Sequence, residues 1–304
     1  MTRVAGIDCG TNSIRLLVAD VDPETGELTE LDRRMTIVRL GQGVDQTGRL
    51  APEALERTFA ACRAYAEVIE ELGAEKLRFV ATSASRDAEN RDEFVDGVKA
   101  ILGVEPEVIS GDQEAAFSFT GATGELPAAE KYLVVDIGGG STEFVTGDRE
   151  VEAARSVDIG CVRLTERHVR HDPPTAEEVA AIRADVRAAL DLAAETVPIG
   201  TAGTLVGLAG SVTTVAAIAL GLPEYDSTKI HHARLSAAQV AEVTDRLLVS
   251  THAERAGIPV IHPGRVDVII AGALVLREIV ERVGAHEVVV SEHDILDGIA
   301  LSVA

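Results

Sequence analysis

The stretch of residues 136–143, which reads D-I-G-G-G-S-T-E, carries the residue types from which a phosphate site is built. Glycine has no Cβ, so the three glycines let backbone N–H groups approach an anion closely, and the hydroxyls that follow add donors. The carboxylates at either end would repel a phosphate unless a cation stood between them, and oxygen ligands favour Mg²⁺. The candidates are Asp136 and Glu143 for the metal, and Gly138, Gly139, Gly140, Ser141 and Thr142 for the phosphate. An ordinary glycine-rich hairpin is the alternative.

Apolar runs on both sides of this stretch predict the strands that would hold it. Residues 131–135 have the composition of a buried strand, and the apolar character resumes at residues 144–145. The glycines therefore lie in a turn between two predicted strands.

A second strand–Asp–glycine–hydroxyl turn lies near the start of the sequence. Residues 4–8 form an apolar run that ends in Asp8, and Gly10 precedes a polar triplet and a second apolar run. Two such turns in one chain indicate an internal duplication. They resemble the two phosphate loops of the actin, Hsp70 and sugar-kinase superfamily, in which two similar α/β domains close on a phosphorylated ligand.

Hydrophobic periodicity and turn residues along the whole chain predict alternating strands and helices, and hence an α/β fold. Strands are expected at residues 4–8, 14–21, 28–38, 77–81, 104–109, 131–135, 151–157, 204–208 and 287–290, and the principal helices at residues 52–72 and 295–303 and after residues 110, 175, 210, 236 and 265. A domain boundary is predicted at residues 123–127, which gives domains at residues 1–124 and 125–304. The C-terminal helix at residues 295–304 is a candidate addition to the first domain.

Two helix N-termini in the first half carry further candidates. Arg86 lies in a hydroxyl-rich turn after the strand at residues 77–81, and a helix N-terminus beside an arginine suits a phosphate. A plain N-cap with a solvated arginine explains the same residues equally well. Glu114 lies in the first turn of the helix before the domain boundary, where acidic residues commonly complement the helix dipole. Its place beside the boundary indicates that it projects from an interdomain hinge toward the metal and the phosphate.

A third strand–glycine–hydroxyl turn occurs in the second half of the chain. Gly210 and Ser211 follow the strand at residues 204–208 and open a helix, so they are candidates for a further phosphate. The eight histidines are scattered and show no metal-ligand spacing. They are interpreted as structural or surface residues.

The composition argues against several function classes. A formal net charge of −22, 3% aromatic residues and no tryptophan argue against nucleic-acid binding. No apolar run approaches the ~18 residues of a membrane span, and no signal peptide is recognised, so a cytoplasmic protein without a membrane partner is expected. The acidic total does not exclude a polyphosphate substrate, because such a substrate needs only a local cationic trough and a metal.

The three cysteines, Cys9, Cys62 and Cys161, share no C-x-x-C spacing, so neither a disulfide framework nor a zinc site is predicted. Cys9 lies in the first phosphate turn, where it could make the protein sensitive to oxidants. A small buried thiol is the alternative.

Six ordered blocks resemble the exopolyphosphatase and guanosine pentaphosphate phosphohydrolase (Ppx/GppA) family. They are D-C-G-T-N-S at residue 8, T-S-A-S-R-D-A at 82, S-G-D-Q-E-A at 110, D-I-G-G-G-S-T-E at 136, G-C-V-R-L-T-E at 160 and P-G-R-V-D-V-I-I-A-G at 263. The resemblance implies two actin-like (ribonuclease H-like) α/β domains flanking an interdomain cleft. It also implies hydrolysis of a terminal phosphoric anhydride of inorganic polyphosphate or pppGpp, with Mg²⁺ or Mn²⁺ as cofactor. A homodimer is expected on the same ground.

Residue roles follow from the same resemblance. Glu114 matches the glutamate proposed in the family as general base, and Asp136 and Glu143 match the acidic residues that hold the metal and position water. Asp8 would share the metal. The phosphate path would be lined by Thr11, Asn12, Ser13, Arg86, Gly138, Gly139, Gly140, Ser141, Thr142, Gly210 and Ser211, and Arg265 would meet a more distant substrate phosphate.

The sequence also departs from the family pattern. Longer members add a C-terminal helical region, whereas this sequence ends at Ala304, so a shorter channel and a preference for short polyphosphates are expected. The block at residues 291–298, S-E-H-D-I-L-D-G, replaces the usual glycine and arginine-glutamate pattern, and Ser211 stands where a second glycine is common.

Other functions of the same fold stay open. A kinase of the superfamily would carry both phosphate turns, together with an adenosine pocket and an acidic base for an acceptor. A pppGpp 5′-phosphohydrolase would share the family pattern. A non-hydrolytic sensor of pppGpp or ppGpp would keep the phosphate turns, but the presence of Glu114, Asp136 and Glu143 together argues against it.

Overall fold

The computed structural model describes residues 1–127, 130–200 and 203–304. The chain forms two compact units, of which the first comprises Met1–Gly121 with Ile295–Ala304 and the second comprises Ala122–Asp294. Each unit contains one β-sheet with its own helices, so the predicted α/β class is confirmed. No helix in these described ranges is long and apolar enough to cross a membrane.

Five strands form the sheet of the first unit, namely β1 Thr2–Cys9, β2 Ser13–Val21, β3 Leu28–Ile37, β4 Lys76–Ala81 and β5 Glu107–Val108. They lie in the order β3-β2-β1-β4-β5. β1, β2 and β3 are antiparallel, and β4 and β5 extend the sheet in parallel. The strand predicted at residues 104–109 is wrong in extent, because Pro106 has no N–H to donate to a ladder and only two residues pair.

The first unit also contains helices α1 Val44–Thr47, α2 Pro52–Leu72, α3 Ser83–Asp87, α4 Arg91–Leu102 and α5 Gly111–Thr123. α2 begins at Pro52, whose missing N–H costs nothing in a first turn, and ends at Gly73, whose φ of 67° is left-handed. Its buried face includes Leu55, Cys62 and Tyr65. The predicted bounds of this helix are confirmed.

Six strands form the sheet of the second unit, namely β6 Tyr132–Ile137, β7 Thr142–Gly147, β8 Val151–Val157, β9 Thr204–Leu208, β10 Arg234–Ser236 and β11 Glu287–Val290. Their order is β10-β11-β9-β6-β7-β8. β6 lies at the centre with all of its residues buried. It runs antiparallel to β7 and parallel to β9.

The helices of the second unit are α6 Cys161–His168, α7 Ala176–Ala194, α8 Ala209–Ala219, α9 Ser227–Ile230, α10 Ala237–Val249, α11 His252–Ala256 and α12 Ile269–Val283. A 3-10 turn, Pro263–Arg265, precedes α12. Thr175 and Glu178 form a capping box at α7, and Ser236 and Gln239 form another at α10. The sequence does not predict α6, because eight residues are too few for a helical period to stand out.

The two sheets repeat one arrangement, which confirms the predicted internal duplication. β3-β2-β1-β4 corresponds to β8-β7-β6-β9, with a three-stranded antiparallel meander and a parallel strand beside its first member. The hairpin turns also correspond. Gly10 N–H donates to the carbonyl of Ser13 at 2.9 Å, and Gly138 N–H donates to the carbonyl of Ser141 at 3.1 Å.

The last helix, α13 Ile295–Leu301, belongs to the first unit. Its buried side chains Leu296 and Ala300 join a core cluster with Val4 and Leu17 from β1 and β2. The same helix contacts the backbone of α5, because a Cβ added at Gly298 would overlap the carbonyl of Phe117.

Gly298→Ala is therefore expected to destabilise the protein by about 1–3 kcal/mol, because the backbone of α5 cannot move aside as a side chain could. Chemical denaturation of the variant measures this. Gly200→Ala is the matched control, since a Cβ there meets nothing within 4 Å. Equal stability of the two variants would contradict the tight contact between α13 and α5.

Candidate functional site

The turn between β1 and β2 carries the candidate phosphate ligands at the N-terminal end of the first unit. Thr11 is buried, and its Oγ1 lies 2.8 Å from the Oγ of Ser83 at the start of α3. The carbonyl of Asn12 accepts hydrogen bonds from the N–H groups of Val38 and Arg39, in the segment after β3. The turn is thus held from two sides, and it lies beside the hydroxyl-rich turn that the sequence assigned to a phosphate.

Asp8, near the end of β1, forms an ion pair that the sequence does not predict. Arg15 lies opposite Asp8 in the ladder between β1 and β2. Its Nε and Nη2 donate to Oδ2 of Asp8 at 3.0 and 2.7 Å. The side chains of Arg15 and Asp8 are 20% and 7% exposed. The carboxylate predicted to share the metal therefore already has a fixed positive partner.

The structure joins two candidates that the sequence treats separately. Glu114 lies in the first turn of α5 and is buried, with 8% of its surface exposed. Arg86, in the last turn of α3, donates through Nη1 to Glu114 Oε2 at 3.2 Å and to the carbonyl of Ile109 at 2.9 Å. In the described part of the chain, no group accepts from Nε or Nη2 of Arg86. One arginine can thus hold Glu114 and still present donors to a phosphate.

The glycine turn between β6 and β7 carries most of the candidate residues of the second unit. The start of α6 supports it from behind, because Cys161 N–H donates to the carbonyl of Gly138 at 3.0 Å and Arg163 Nε donates to the carbonyl of Gly140 at 2.7 Å. Throughout residues 1–127, 130–200 and 203–304, no group accepts from the N–H of Gly139 or Gly140. Because the carbonyls of the turn already accept hydrogen bonds and these N–H groups are available, the turn can donate hydrogen bonds to an anion.

Asp136 and Glu143 lie opposite each other in the ladder between β6 and β7. They are 7% and 1% exposed. Ser156 Oγ, on the neighbouring strand β8, donates to Glu143 Oε1 at 2.7 Å and orients that carboxylate. Like charges directly opposite in a ladder destabilise a sheet. Two buried carboxylates of this kind fit a hard divalent cation such as Mg²⁺ or Mn²⁺, whose preferred ligands are oxygens.

The third turn, at the start of α8, brings Arg265 against Gly210. A Cβ at Gly210 would overlap the guanidinium of Arg265, so this glycine is needed for the arginine to approach. The preceding residue, Ala209, has a φ of 66°, which costs energy for a side chain that carries a Cβ. Gly272 in α12 serves the same purpose for Ser211, whose Oγ would overlap a Cβ at that position.

Comparison with known proteins identifies the family. The model of the Ppx/GppA phosphatase family matches residues 17–304. This chain belongs to that family. A relative from Mycobacterium tuberculosis, named Exopolyphosphatase 2, is 52% identical over 316 residues, which cover 100% of this chain and 99% of the relative. The resemblance predicted from the six sequence blocks is confirmed.

Two solved structures of related proteins have the same fold as this Ppx/GppA protein. An exopolyphosphatase-like protein is 47% identical with a TM-score of 0.94, and the match covers 99% of this chain and 98% of that one. A Ppx/GppA family member from Aquifex aeolicus is 32% identical with a TM-score of 0.82, over 99% of this chain and 97% of that one.

Arg15, Ser83, Ser156 and Arg163 contact the candidate residues of this Ppx/GppA protein and were missed by reasoning from sequence. Arg15 carries a sequence signal, because it follows Asp8 by seven positions, which is also the spacing of Asp136 and Glu143. Ser83 and Arg163 lie inside the sequence blocks at residues 82 and 160, which gave them no role of their own. Nothing in the local sequence marks Ser156.

Glu125, His231 and His293 form a cluster whose candidate ligand atoms lie within 4.8 Å of one another. The N–H of Glu292 donates to His231 Nδ1 at 3.1 Å, so Nε2 carries the ring proton, and Nε2 lies 3.0 Å from Glu125 Oε2. This hydrogen bond lowers the pKa of Glu125. A metal ligand needs an unprotonated ring nitrogen. The geometry therefore supports a structural role for His231.

All three cysteines are buried, which favours the unreactive alternative for Cys9. Burial raises the pKa of Cys9 and of Cys161, and it raises the pKa of Cys62 to about 12. The reactive form of cysteine is the thiolate, so these shifts suppress reactivity.

We expect a thiol reagent at pH 8 to label the folded protein at least about a hundredfold more slowly than the urea-unfolded chain. Because the folded pKa values lie above those of unfolded cysteine, labelling of the unfolded chain should rise as the pH passes about 8.5, while labelling of the folded protein stays slow. The release of the reagent's chromophore measures both rates. Fast labelling that is confined to Cys9, located by peptide mapping, would restore the oxidant-sensitive alternative.

Proposed function

We propose that this protein is an exopolyphosphatase, which hydrolyses the terminal phosphoanhydride of inorganic polyphosphate and releases orthophosphate. The observation that carries this proposal is the hairpin of β6 and β7, where the available N–H groups of Gly139 and Gly140 adjoin two buried carboxylates, Asp136 and Glu143. The relative named Exopolyphosphatase 2, 52% identical along the whole chain, supports the same substrate class.

The residues of the second unit would bind and polarise the terminal phosphate. Backbone N–H groups of the glycine turn are proposed to donate to its oxygens, and the hydroxyl of Ser141 adds a donor. Arg265, fixed against Gly210, is proposed to meet a phosphate farther along the chain of the substrate. Phosphoryl transfer is catalysed mainly by positioning and by neutralising charge, and these groups supply both.

A divalent metal would supply the remaining positive charge on the phosphate oxygens when it is bound by Asp136 and Glu143. Ser156 holds Glu143 in the orientation that it needs as a ligand.

Glu114 is proposed to accept the proton of the attacking water. The water oxygen forms the new bond to the terminal phosphorus, the bond from phosphorus to the bridging oxygen breaks, and the shortened polyphosphate leaves with the negative charge. Arg86 orients the Glu114 carboxylate through the contact at 3.2 Å. The N–H groups of Arg86 that have no acceptor in the described part of the chain would also meet a substrate phosphate.

Phosphate release from tripolyphosphate, long-chain polyphosphate and pppGpp, measured side by side with Mg²⁺ and with Mn²⁺, tests this function. Metal-dependent release from the inorganic polyphosphates is expected, and the same data test the preference for short chains. Turnover of pppGpp alone would favour the 5′-phosphohydrolase alternative. Binding of pppGpp or ppGpp without turnover of any substrate would favour the sensor.

We also propose that the protein acts as a homodimer, as its family resemblance implies. Light scattering coupled to size-exclusion chromatography measures the mass in solution. A mass that matches the 32.0 kDa of one chain would contradict the dimer.

A further inference from the structure

In both units, the chain that leaves the third strand of the meander turns back over the hairpin turn. Residues 38–41, which follow β3, and residues 159–163, which follow β8, are here called the return segments. Their backbone N–H groups donate to carbonyls of the two turns. The donors are Val38 and Arg39 to Asn12 at 3.0 and 2.9 Å, Gly41 to Thr11 at 2.9 Å, Cys161 to Gly138 at 3.0 Å, and Val162 and Arg163 to Gly139 at 2.9 and 3.1 Å. The duplication therefore includes the return segment as well as the hairpin.

Each of these hydrogen bonds fixes the direction of a peptide group in a turn. The peptides of both turns are trans, so each is planar and its C=O and N–H point to opposite sides. The bonds to the carbonyls of Gly138 and Gly139 therefore turn the N–H groups of Gly139 and Gly140 away from the return segment. The bond to the carbonyl of Thr11 does the same for the N–H of Asn12. Consecutive glycines cannot fix this direction themselves, because glycine adopts positive and negative φ with similar ease.

A glycine in each return segment allows this close approach. At Gly160, a Cβ would overlap the carbonyl of Gly139 and the nitrogen of Gly140, which belong to the very peptide that the segment orients. At Gly41, a Cβ would overlap Cγ2 of Thr11. Gly160 has a φ of −161°, which any residue can adopt, so lack of room and not backbone conformation excludes a side chain there.

We propose that Gly41 and Gly160 are positioning residues for phosphate binding. They admit the return segments, which hold the peptides of both turns with their carbonyls engaged and their N–H groups available to the substrate. The oxygens of an ionised polyphosphate only accept hydrogen bonds, so a turn with flipped peptides would present carbonyl oxygens to it in place of donors. This inference rests on the proposed function.

Gly160→Ala tests the inference by calorimetric titration with imidodiphosphate and Mg²⁺, because the nitrogen that replaces the bridging oxygen allows binding without turnover. We expect a loss of affinity of about tenfold or more, and a kcat on tripolyphosphate lower by about 10²-fold, as for a misplaced donor. Gly200→Ala, where a Cβ meets nothing within 4 Å, should keep both values within about twofold of the wild type. Wild-type affinity and kcat in a folded Gly160→Ala variant would overturn the proposal.

Gly41→Ala gives a second test, because its principal obstruction is one methyl group. Thr11→Ser removes Cγ2 and keeps the hydroxyl that lies 2.8 Å from Ser83 Oγ. Gly41→Ala should weaken imidodiphosphate binding by about tenfold or more in the wild type, but by no more than about threefold in the Thr11→Ser background, since the next neighbours, at 3.2 Å, need only a small shift. A general loss of stability would not depend on this methyl group, so equal losses in both backgrounds would refute the role of Gly41. If Gly160→Ala does not fold, this comparison decides alone.

Phosphate release from tripolyphosphate on the same preparations separates this inference from the proposed function. A wild-type chain that releases phosphate, with both glycine variants binding imidodiphosphate as the wild type does, would refute the positioning role and leave the function intact. A wild-type chain that binds imidodiphosphate, with the expected losses in both variants, yet releases no phosphate would refute the function and leave the positioning role intact. A wild-type chain that neither binds nor hydrolyses would overturn both.

Discussion

Replacement of Glu114 by glutamine is expected to lower kcat for phosphate release by about 10²- to 10⁴-fold, the contribution of a general base. The amide cannot take the proton of the attacking water. Its oxygen can still accept the hydrogen bond that Arg86 Nη1 now donates to Glu114 Oε2 at 3.2 Å, so the buried site keeps its shape. Steady-state phosphate release gives kcat and KM, and the Tm reports the fold. Glu114→Ala should lower kcat as much as Glu114→Gln does, and its Tm should show that it is still folded.

Asp112→Asn is the matched control for this variant. Asp112 lies in the same first turn of α5, but it is exposed, so its loss should change kcat by no more than about twofold. If Glu114→Gln kept the wild-type kcat, Glu114 would not be the base. If it raised KM alone, Glu114 would act in substrate binding.

Asp136→Asn and Glu143→Gln should each lower kcat by about 10³-fold, because the metal contributes several kcal/mol of charge stabilisation in the transition state. Each variant removes one of the two facing carboxylates, which are at most 7% exposed and lie in register in the hairpin of β6 and β7. The thermal shift caused by Mg²⁺ or Mn²⁺ should disappear together with activity. Activity and Tm are measured over a titration of each metal.

Glu150→Gln is the control for the carboxylate variants, since Glu150 is exposed and lies in the turn between β7 and β8, at the other end of the β6–β7 hairpin. It should show the wild-type metal response. A full metal-induced Tm shift in Asp136→Asn or Glu143→Gln would place the metal on other residues.

The local turns of the site could be predicted from the sequence because their determinants are neighbours in the chain. A strand, an aspartate, a glycine and a hydroxyl occur within a few residues at both hairpins, and the structure confirms both turns and their duplication. Capping boxes at α7 and α10 were predictable for the same reason. The strand predicted at residues 104–109 was wrong in extent because Pro106, inside its apolar run, cannot donate to a ladder.

Contacts between distant parts of the chain were not predictable from patterns. Glu114 and Arg86 were recognised singly, yet their ion pair joins residues 28 positions apart. Gly210 and Arg265 were likewise assigned to separate phosphates, and only the fold shows that the glycine makes room for the arginine. Ser156 reaches Glu143 from the next strand, and nothing in its local sequence marks it.

The sequence by itself determined the family and the α/β class, and it predicts which residues would bind phosphate and metal, because these depend on residue type and on short spacings along one strand or turn. The tertiary structure alone decided which charges face one another. Strand register sets Arg15 against Asp8 and Glu143 against Asp136, and helix packing brings Arg86 to Glu114. Electrostatic energy depends on distances of a few ångströms between side chains, and those distances are set by folding.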